Sequence, residues 1–193
     1  RGAEALPGDS PEAVRLARPL RVDELPGFRE GWFSVQDESA QQAALLLDPQ
    51  PGECVLDLCA APGGKATHLA ELMGDRGEVV ACDVHPSRLQ RIVESRERLG
   101  LSCIATQLIS LSGKGIPSGP FDAALVDVPC SNTGVLGKRP DVRWRIMPGD
   151  LIELPALQAR LLLAAADRVR PGGRIVYSTC SIEPAENEQL LAG

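Results

Sequence analysis

Two cysteines occupy settings that packing alone explains poorly. Cys130 closes the run Asp127-Val128-Pro129-Cys130, and Cys180 is the centre of Thr179-Cys180-Ser181. Each follows an apolar, strand-like run, so each is expected at a strand's C-terminal end. A thiolate is a nucleophile, and a carboxyl group moves protons. Together they suit one chemical difficulty: carbon 5 of a cytosine is a poor nucleophile. A thiolate adding to carbon 6 turns the ring into an enamine that can attack a methyl sulfonium. An acid at ring nitrogen 3 helps the addition. A base then removes the carbon 5 proton, and the thiol is eliminated. A free cysteine is equally at home as a small core hydrophobe; the strand-end positions favour chemistry here.

A second stretch, Val55-Leu56-Asp57-Leu58-Cys59-Ala60-Ala61-Pro62-Gly63-Gly64-Lys65, reads as a buried strand, a glycine turn and a helix start. Gly63 and Gly64 lack a Cβ, so the backbone is expected to bend there and approach a ligand closely. Such a junction is a site for a nucleotide-like molecule. It is not a G-x-x-x-x-G-K-[ST] phosphate loop, because Cys59 replaces the first glycine and Ala66 follows the lysine. Nor is it a G-x-G-x-x-G dinucleotide fingerprint, because its glycines are adjacent. S-adenosylmethionine, which has no phosphate to cradle, fits better than ATP or NAD. Asp83 follows the next strand, where a carboxylate can accept from two ribose hydroxyls or cap the helix that starts near Pro86.

The elements that must position these groups alternate. Strands are expected over 54–59, 79–83, 103–108, 123–128 and 174–178, with helices over 65–73, 86–99 and roughly 155–169 between them. A further helix, capped by Asp37, runs to about Leu47, and a last one begins near Pro184. Near-continuous apolar strands separated by helices imply an α/β fold with a parallel sheet covered on both faces. Right-handed crossovers place every strand C-terminus on one edge. There Cys59–Lys65, Asp83, Ile109–Ser110, Asp127–Cys130 and Ser178–Ser181 converge. Residues 1–35 read as a lead-in with short extended pieces at 14–16 and 20–22 and room for a small hairpin. Residues 36–193 read as the domain proper. The loop Gly134-Val135-Leu136-Gly137-Lys138-Arg139-Pro140-Asp141-Val142-Arg143-Trp144-Arg145 is basic with one aromatic, and can hold phosphate or stack on a base.

The chain has 193 residues, 44% hydrophobic, and only 3% aromatic, so its core is built from Leu, Val, Ile and Ala. No run is long and apolar enough to span a membrane. The six cysteines form no C-x-x-C pair, which points away from a zinc site and toward a reduced, cytoplasmic setting. A net charge of −6 excludes a general grip on nucleic acid, so such contact must be local or lie in another part of the protein. The chain is expected to be a piece of a longer, monomeric protein.

Several motifs in order resemble the Fmu/Sun family of bacterial RNA (cytosine-5) methyltransferases acting on small-subunit ribosomal RNA. They are Gln36-Asp37-Glu38-Ser39, Asp57–Lys65, Asp127–Gly134, Arg139-Pro140-Asp141-Val142-Arg143-Trp144, Tyr177–Ser181 and Glu186-Asn187-Glu188. The resemblance implies a Rossmann-like domain that uses S-adenosylmethionine and binds RNA, with no metal. It implies that Cys180 is the nucleophile, that Cys130 serves release of the covalent product, and that Asp127 is the acid near base and methyl donor. Cys59, Ala60, Ala61, Pro62, Gly63, Gly64, Lys65 and Asp83 would contact the cofactor, with Arg88 near the ribose. It also implies two further strands and an N-terminal RNA-binding domain outside this stretch. Alternatives are a tRNA methyltransferase and a non-catalytic RNA- or ribosome-binding module. Departures from the family pattern are Ile109 where an adenine-contacting Asp is usual, Gly137-Lys138 before Arg139-Pro140, and Ala66 in place of Thr.

Overall fold

The computed structural model describes residues 4–8, 13–18 and 20–192. The lead-in reading of the remaining positions lies outside the described residues. Near the N-terminus, β1 (Ala5–Pro7) and β2 (Val14–Leu16) form a small antiparallel hairpin. The stretch read as extended at 20–22 instead runs into a 3₁₀ turn, Val22–Glu24, because Asp23 and Glu24 favour a turn. Arg98 then fixes the chain to the domain. Its guanidinium lies 4.1 Å above the Phe28 ring and donates to the carbonyls of Phe28 and Phe33.

From there the chain alternates. Helix α1 (Glu38–Leu47) is capped by Asp37, whose carboxylate accepts from the Ser39 N–H. There follow β3 (Cys54–Leu58), α2 (Gly64–Leu72), β4 (Glu78–Asp83), α3 (Pro86–Leu99), β5 (Ile104–Leu108) and β6 (Phe121–Asp127). Then come α4 (Val142–Arg145), α5 (Asp150–Ala166), β7 (Val169–Ser178) and α6 (Glu188–Ala192). The five long strands form one parallel sheet in the order β5-β4-β3-β6-β7.

Successive strand residues face opposite sides, and both sides are covered. Val55, Val79, Ala81, Ala123, Leu125 and Val176 meet α1, α2 and α3. Leu56, Leu58, Val80, Cys82, Ala124 and Val126 meet Leu161 and Ala165 of α5 and the loop that carries Ile109 and Ile116. The result is the Rossmann-like α/β sheet that the apolar strands imply. Among the described residues, no helix is long and apolar enough to cross a membrane.

Four boundaries differ from expectation. α5 begins at Asp150, ahead of Pro155, because Asp150 accepts from the Met147 N–H and secures an early first turn. It stops at Ala166, so Val169 is free to pair with Phe121. β7 thus starts before the Pro171-Gly172-Gly173 turn, which interrupts its register with β6 between Phe121 and Ala123. The helix read from Pro184 starts as a 3₁₀ turn (Pro184–Glu186) and continues as α6.

Gly63 has φ +110°, and a Cβ there would sit 3.1 Å from Ile92 Cγ1 and 3.2 Å from its Cα. Its need for glycine therefore comes from the close passage of α3. Gly64 has no neighbour nearer than Gln36 Cγ at 4.0 Å. Gly63→Ala is expected to lower stability by about 2 kcal/mol, combining left-handed backbone strain and a helix clash. Gly64→Ala should stay within about 1 kcal/mol of the parent. Denaturant midpoints at unchanged slope measure both.

Candidate functional site

The chain runs outward from β3 through β4 to β5, then returns to place β6 on the other side of β3. The C-terminal ends of β3 and β6 thus flank a switch in direction, where α/β sheets bind ligands. A cleft of about 760 Å³ opens there. Cys59, Ala61, Lys65, Asp83, Arg88, Asp127, Cys130 and Cys180 all line it. Ala60, Pro62, Gly63 and Gly64 do not: they form the turn behind the wall.

The turn is locked from below. Ala60 N–H donates to the Cys82 carbonyl at 2.8 Å, and Cys59 adopts φ +75°, a strained value for a residue with a side chain. Asp83 is buried, and its two oxygens accept from the backbone N–H groups of Ala61 and His85 at 3.3 and 2.9 Å. The carboxylate thus lines the cleft and fixes the turn that leads into α3, but it does not cap that helix: the cap position is His85, and among the described residues no side chain accepts from the first-turn N–H groups. Arg88 joins both sides by donating to the Ala61 carbonyl at 2.5 Å while lying 3.7 Å from Asp83. Lys65 reaches across to Asp127, Nζ to Oδ2 at 2.8 Å.

Asp57 lies deeper. Its side chain is fully buried, and neither oxygen has a hydrogen-bond partner. Burial first, and then the nearby Asp127 and Asp83 charges, raise it to about 8 against a partial counterweight from Lys65. The Cys59 thiol is pushed up to about 12 by burial and then by Asp57, Asp83 and Asp127, so it stays protonated.

Opposite the turn stand the two thiols, with Sγ of Cys130 and Sγ of Cys180 3.3 Å apart. Asn132, in a left-handed conformation at φ +60°, fixes the order of the protons. Its Nδ2 donates to the Cys130 carbonyl at 2.7 Å, which turns its Oδ1 toward Cys180 Sγ at 3.2 Å. Cys180 S–H can donate to that oxygen, and with that proton so engaged Cys130 S–H is free to donate to Cys180 Sγ. That bond is the main cause lowering Cys180 to about 7, against burial and the Asp127 charge and aided by Lys65. The same bond and then burial hold Cys130 well above the ordinary thiol range. Cys180 is alone among the six thiols in being lowered.

Ile109 is buried, lines the cleft, and uses its N–H on the Asp83 carbonyl at 3.0 Å. That backbone donor cannot stand in for a carboxylate, and the wall is apolar there. On the far side, Ser39 and Ala40 of α1 face Gly134, Val135 and Arg145 of the basic loop. Lys138 of that loop is paired with Asp37, the cap of α1. Trp144 is exposed, with Arg143 and Arg145 beside it.

Sequence reasoning missed the parts played by Asn132, Asp57 and Glu186. Asp57 had a signal, an acid between buried apolar residues, whereas the other two matter through contacts that no spacing reveals.

The description "16S rRNA methyltransferase RsmB/F" matches residues 44–192. The chain is 49% identical over 184 residues to a "Probable ribosomal RNA small subunit methyltransferase B" of Synechocystis, covering 94% of this chain and 41% of that protein. It therefore spans less than half the length of that relative. Among solved structures, "Crystal Structure of PH0851" superposes with a TM-score of 0.90 at 38% identity, covering 98% of this chain and 44% of the other. NSun6 from Pyrococcus horikoshii, crystallised with SFG, gives 0.82 at 30% identity, covering 93% and 47%.

Two outcomes follow from these environments. In iodoacetamide alkylation read by mass spectrometry under reducing conditions, Cys180 should react with a midpoint near pH 7. Cys130→Ala should move that midpoint toward the ordinary thiol value of about 8.5. Asp57 binds a proton in the folded state up to about pH 8, whereas unfolded it releases it near the ordinary aspartate value of 3.8. Between those values the folded state holds more protons, so stability contributed at low pH is lost as pH rises. Melting temperatures from pH 5 to 8 should fall less steeply for Asp57→Asn than for the parent.

Proposed function

This chain belongs to the 16S rRNA methyltransferase RsmB/F family, and from that premise we propose that it methylates carbon 5 of a cytosine in RNA, with small-subunit ribosomal RNA as substrate. Residues 36–193 form the catalytic domain and residues 1–35 its lead-in. The observation that carries the reading is the thiol pair, 3.3 Å apart, on the cleft edge of two neighbouring strands.

The near side of the cleft fits S-adenosylmethionine. Its glycine turn lacks a phosphate cradle, and the two cations there, Lys65 and Arg88, are each held against a carboxylate, Asp127 and Asp83, so neither is left unpaired to repel a cationic sulfonium. When bound, that cofactor supplies an electrophilic methyl group. Cys59, Ala61, Lys65, Asp83 and Arg88 would hold it, with Ala60, Pro62, Gly63 and Gly64 shaping the turn.

Cys180 thiolate adds to carbon 6 of the base, while the proton shared within the Asp127–Lys65 pair is donated in a hydrogen bond to ring nitrogen 3 and offsets the negative charge that develops there. Carbon 5, now part of an enamine, becomes the nucleophile and gains its methyl group. Cys130 then changes character. Once Cys180 sulfur is bonded to carbon, the acceptor that kept the Cys130 proton in place is gone. Its thiol falls toward the ordinary range and gives up its proton to water, and the thiolate left behind is the base for the carbon 5 proton. Loss of that proton expels Cys180 as a thiolate and restores the aromatic ring.

Incubating the full-length protein with S-adenosylmethionine and RNA containing 5-fluorocytidine tests this sequence of steps. Fluorine cannot leave as a proton, so the adduct should persist and map to Cys180. Cys180→Ala should form no adduct. On unmodified RNA, Cys130→Ala should accumulate one. The reverse pattern between the two variants would overturn the assignment.

A further inference from the structure

Glu186 is fully buried, and among the described residues no cation pairs with it. A buried carboxylate is tolerated only when hydrogen bonds replace its lost hydration. Here its donors come from Ser131 and from Gln158 of α5. Oε1 accepts from Ser131 N–H at 3.0 Å and from Gln158 Nε2 at 3.3 Å, and Oε2 accepts from Ser131 Oγ at 2.7 Å. Ser131 is the residue after Cys130. Its Oγ lies 2.9 Å from Oγ of Ser181, the residue after Cys180. Gln158 Nε2 also donates to the Pro129 carbonyl at 2.9 Å, and Tyr177 O–H donates to the Glu186 carbonyl at 2.7 Å. The next residue, Asn187, donates to the Ser181 carbonyl at 3.1 Å and accepts from Thr179 Oγ1 at 2.8 Å.

The acidic side chain therefore holds the Cys130 turn directly, through Ser131, and the Cys180 turn at one remove, through Ser131 Oγ on Ser181 Oγ and through the adjacent Asn187, and it touches neither sulfur. Cys130 and Cys180 arise from different strand ends. A thiol–thiol hydrogen bond between them survives only if the two turns are held in register to a few tenths of an ångström. We propose that Glu186 is a positioning residue that clamps the Cys130 turn onto the Cys180 turn through Ser131 and so sets the contact between the two thiols. The proposal rests on the two-thiol reading above.

The test is Glu186→Gln in the full-length protein, which keeps the size and one acceptor oxygen but brings an N–H₂ group against the Ser131 and Gln158 donors. The readout is the pH profile of Cys180 alkylation, which needs no RNA. With the thermal transition retained, the midpoint should rise from near 7 toward about 8.5. At pH 7 alkylation should slow by about tenfold as the thiolate fraction drops. On unmodified RNA, the covalent adduct should accumulate as in Cys130→Ala. A folded Glu186→Gln protein with the parental Cys180 midpoint and adduct lifetime would overturn the proposal. If Glu186→Gln does not fold, Ser131→Ala, which removes one hydroxyl of the clamp, decides by the same midpoint: a partial rise supports the clamp and no change overturns it. Failure of Cys180→Ala to abolish the fluorocytidine adduct would instead strike the two-thiol reading, leaving the alkylation result to stand on its own.

Discussion

The ion pair between Lys65 and Asp127 spans the point where the chain reverses direction across the sheet. Lys65 belongs to the first turn of α2 and Asp127 to the last residue of β6, so one contact closes two halves of the fold over the cleft. It also governs the charge of the site. Three carboxylates crowd the strand ends, and Lys65 is the cation that faces two of them. With Asp127 satisfied, the deeper Asp57 is left without a partner and keeps its proton instead. Paired charges hold together at low dielectric, while an unpaired one neutralises itself.

The division of labour between the halves follows. The ends of β3 and β4 present a strained turn and a buried acid, both immobilised by backbone hydrogen bonds. The ends of β6 and β7 present side chains with exchangeable protons, held by hydroxyls, amides and one buried carboxylate. Rigid backbone suits recognition of a molecule of fixed shape. A network of side chains suits a step in which sulfur must gain and lose a proton.

Much of this was legible in the chain. Apolar runs such as Val79–Cys82 and Ala123–Val126 can only be strands buried on both faces, and parallel topology then forces their ends together. That is why Cys59, Asp83, Asp127, Cys130 and Cys180 share one cleft. What stayed hidden depends on contacts between distant segments. Gly63 carries a requirement set by Ile92 of the neighbouring helix. The early start of α5 is decided by the Asp150 carboxylate turning back to Met147, against the local signal of Pro155. Asn132 and Glu186 are polar residues of ordinary type whose importance appears only when both thiol turns are seen together.

The Asp37–Lys138 pair has a consequence for access. It joins the α1 cap to the basic loop across the cleft mouth, and both side chains remain substantially in water, 38% and 69% exposed. Such surface pairs contribute about 0–1 kcal/mol, comparable to thermal energy, and weaken as salt screens them. The cleft's rim is therefore fastened by a contact that loosens as ionic strength rises, a latch and not a wall.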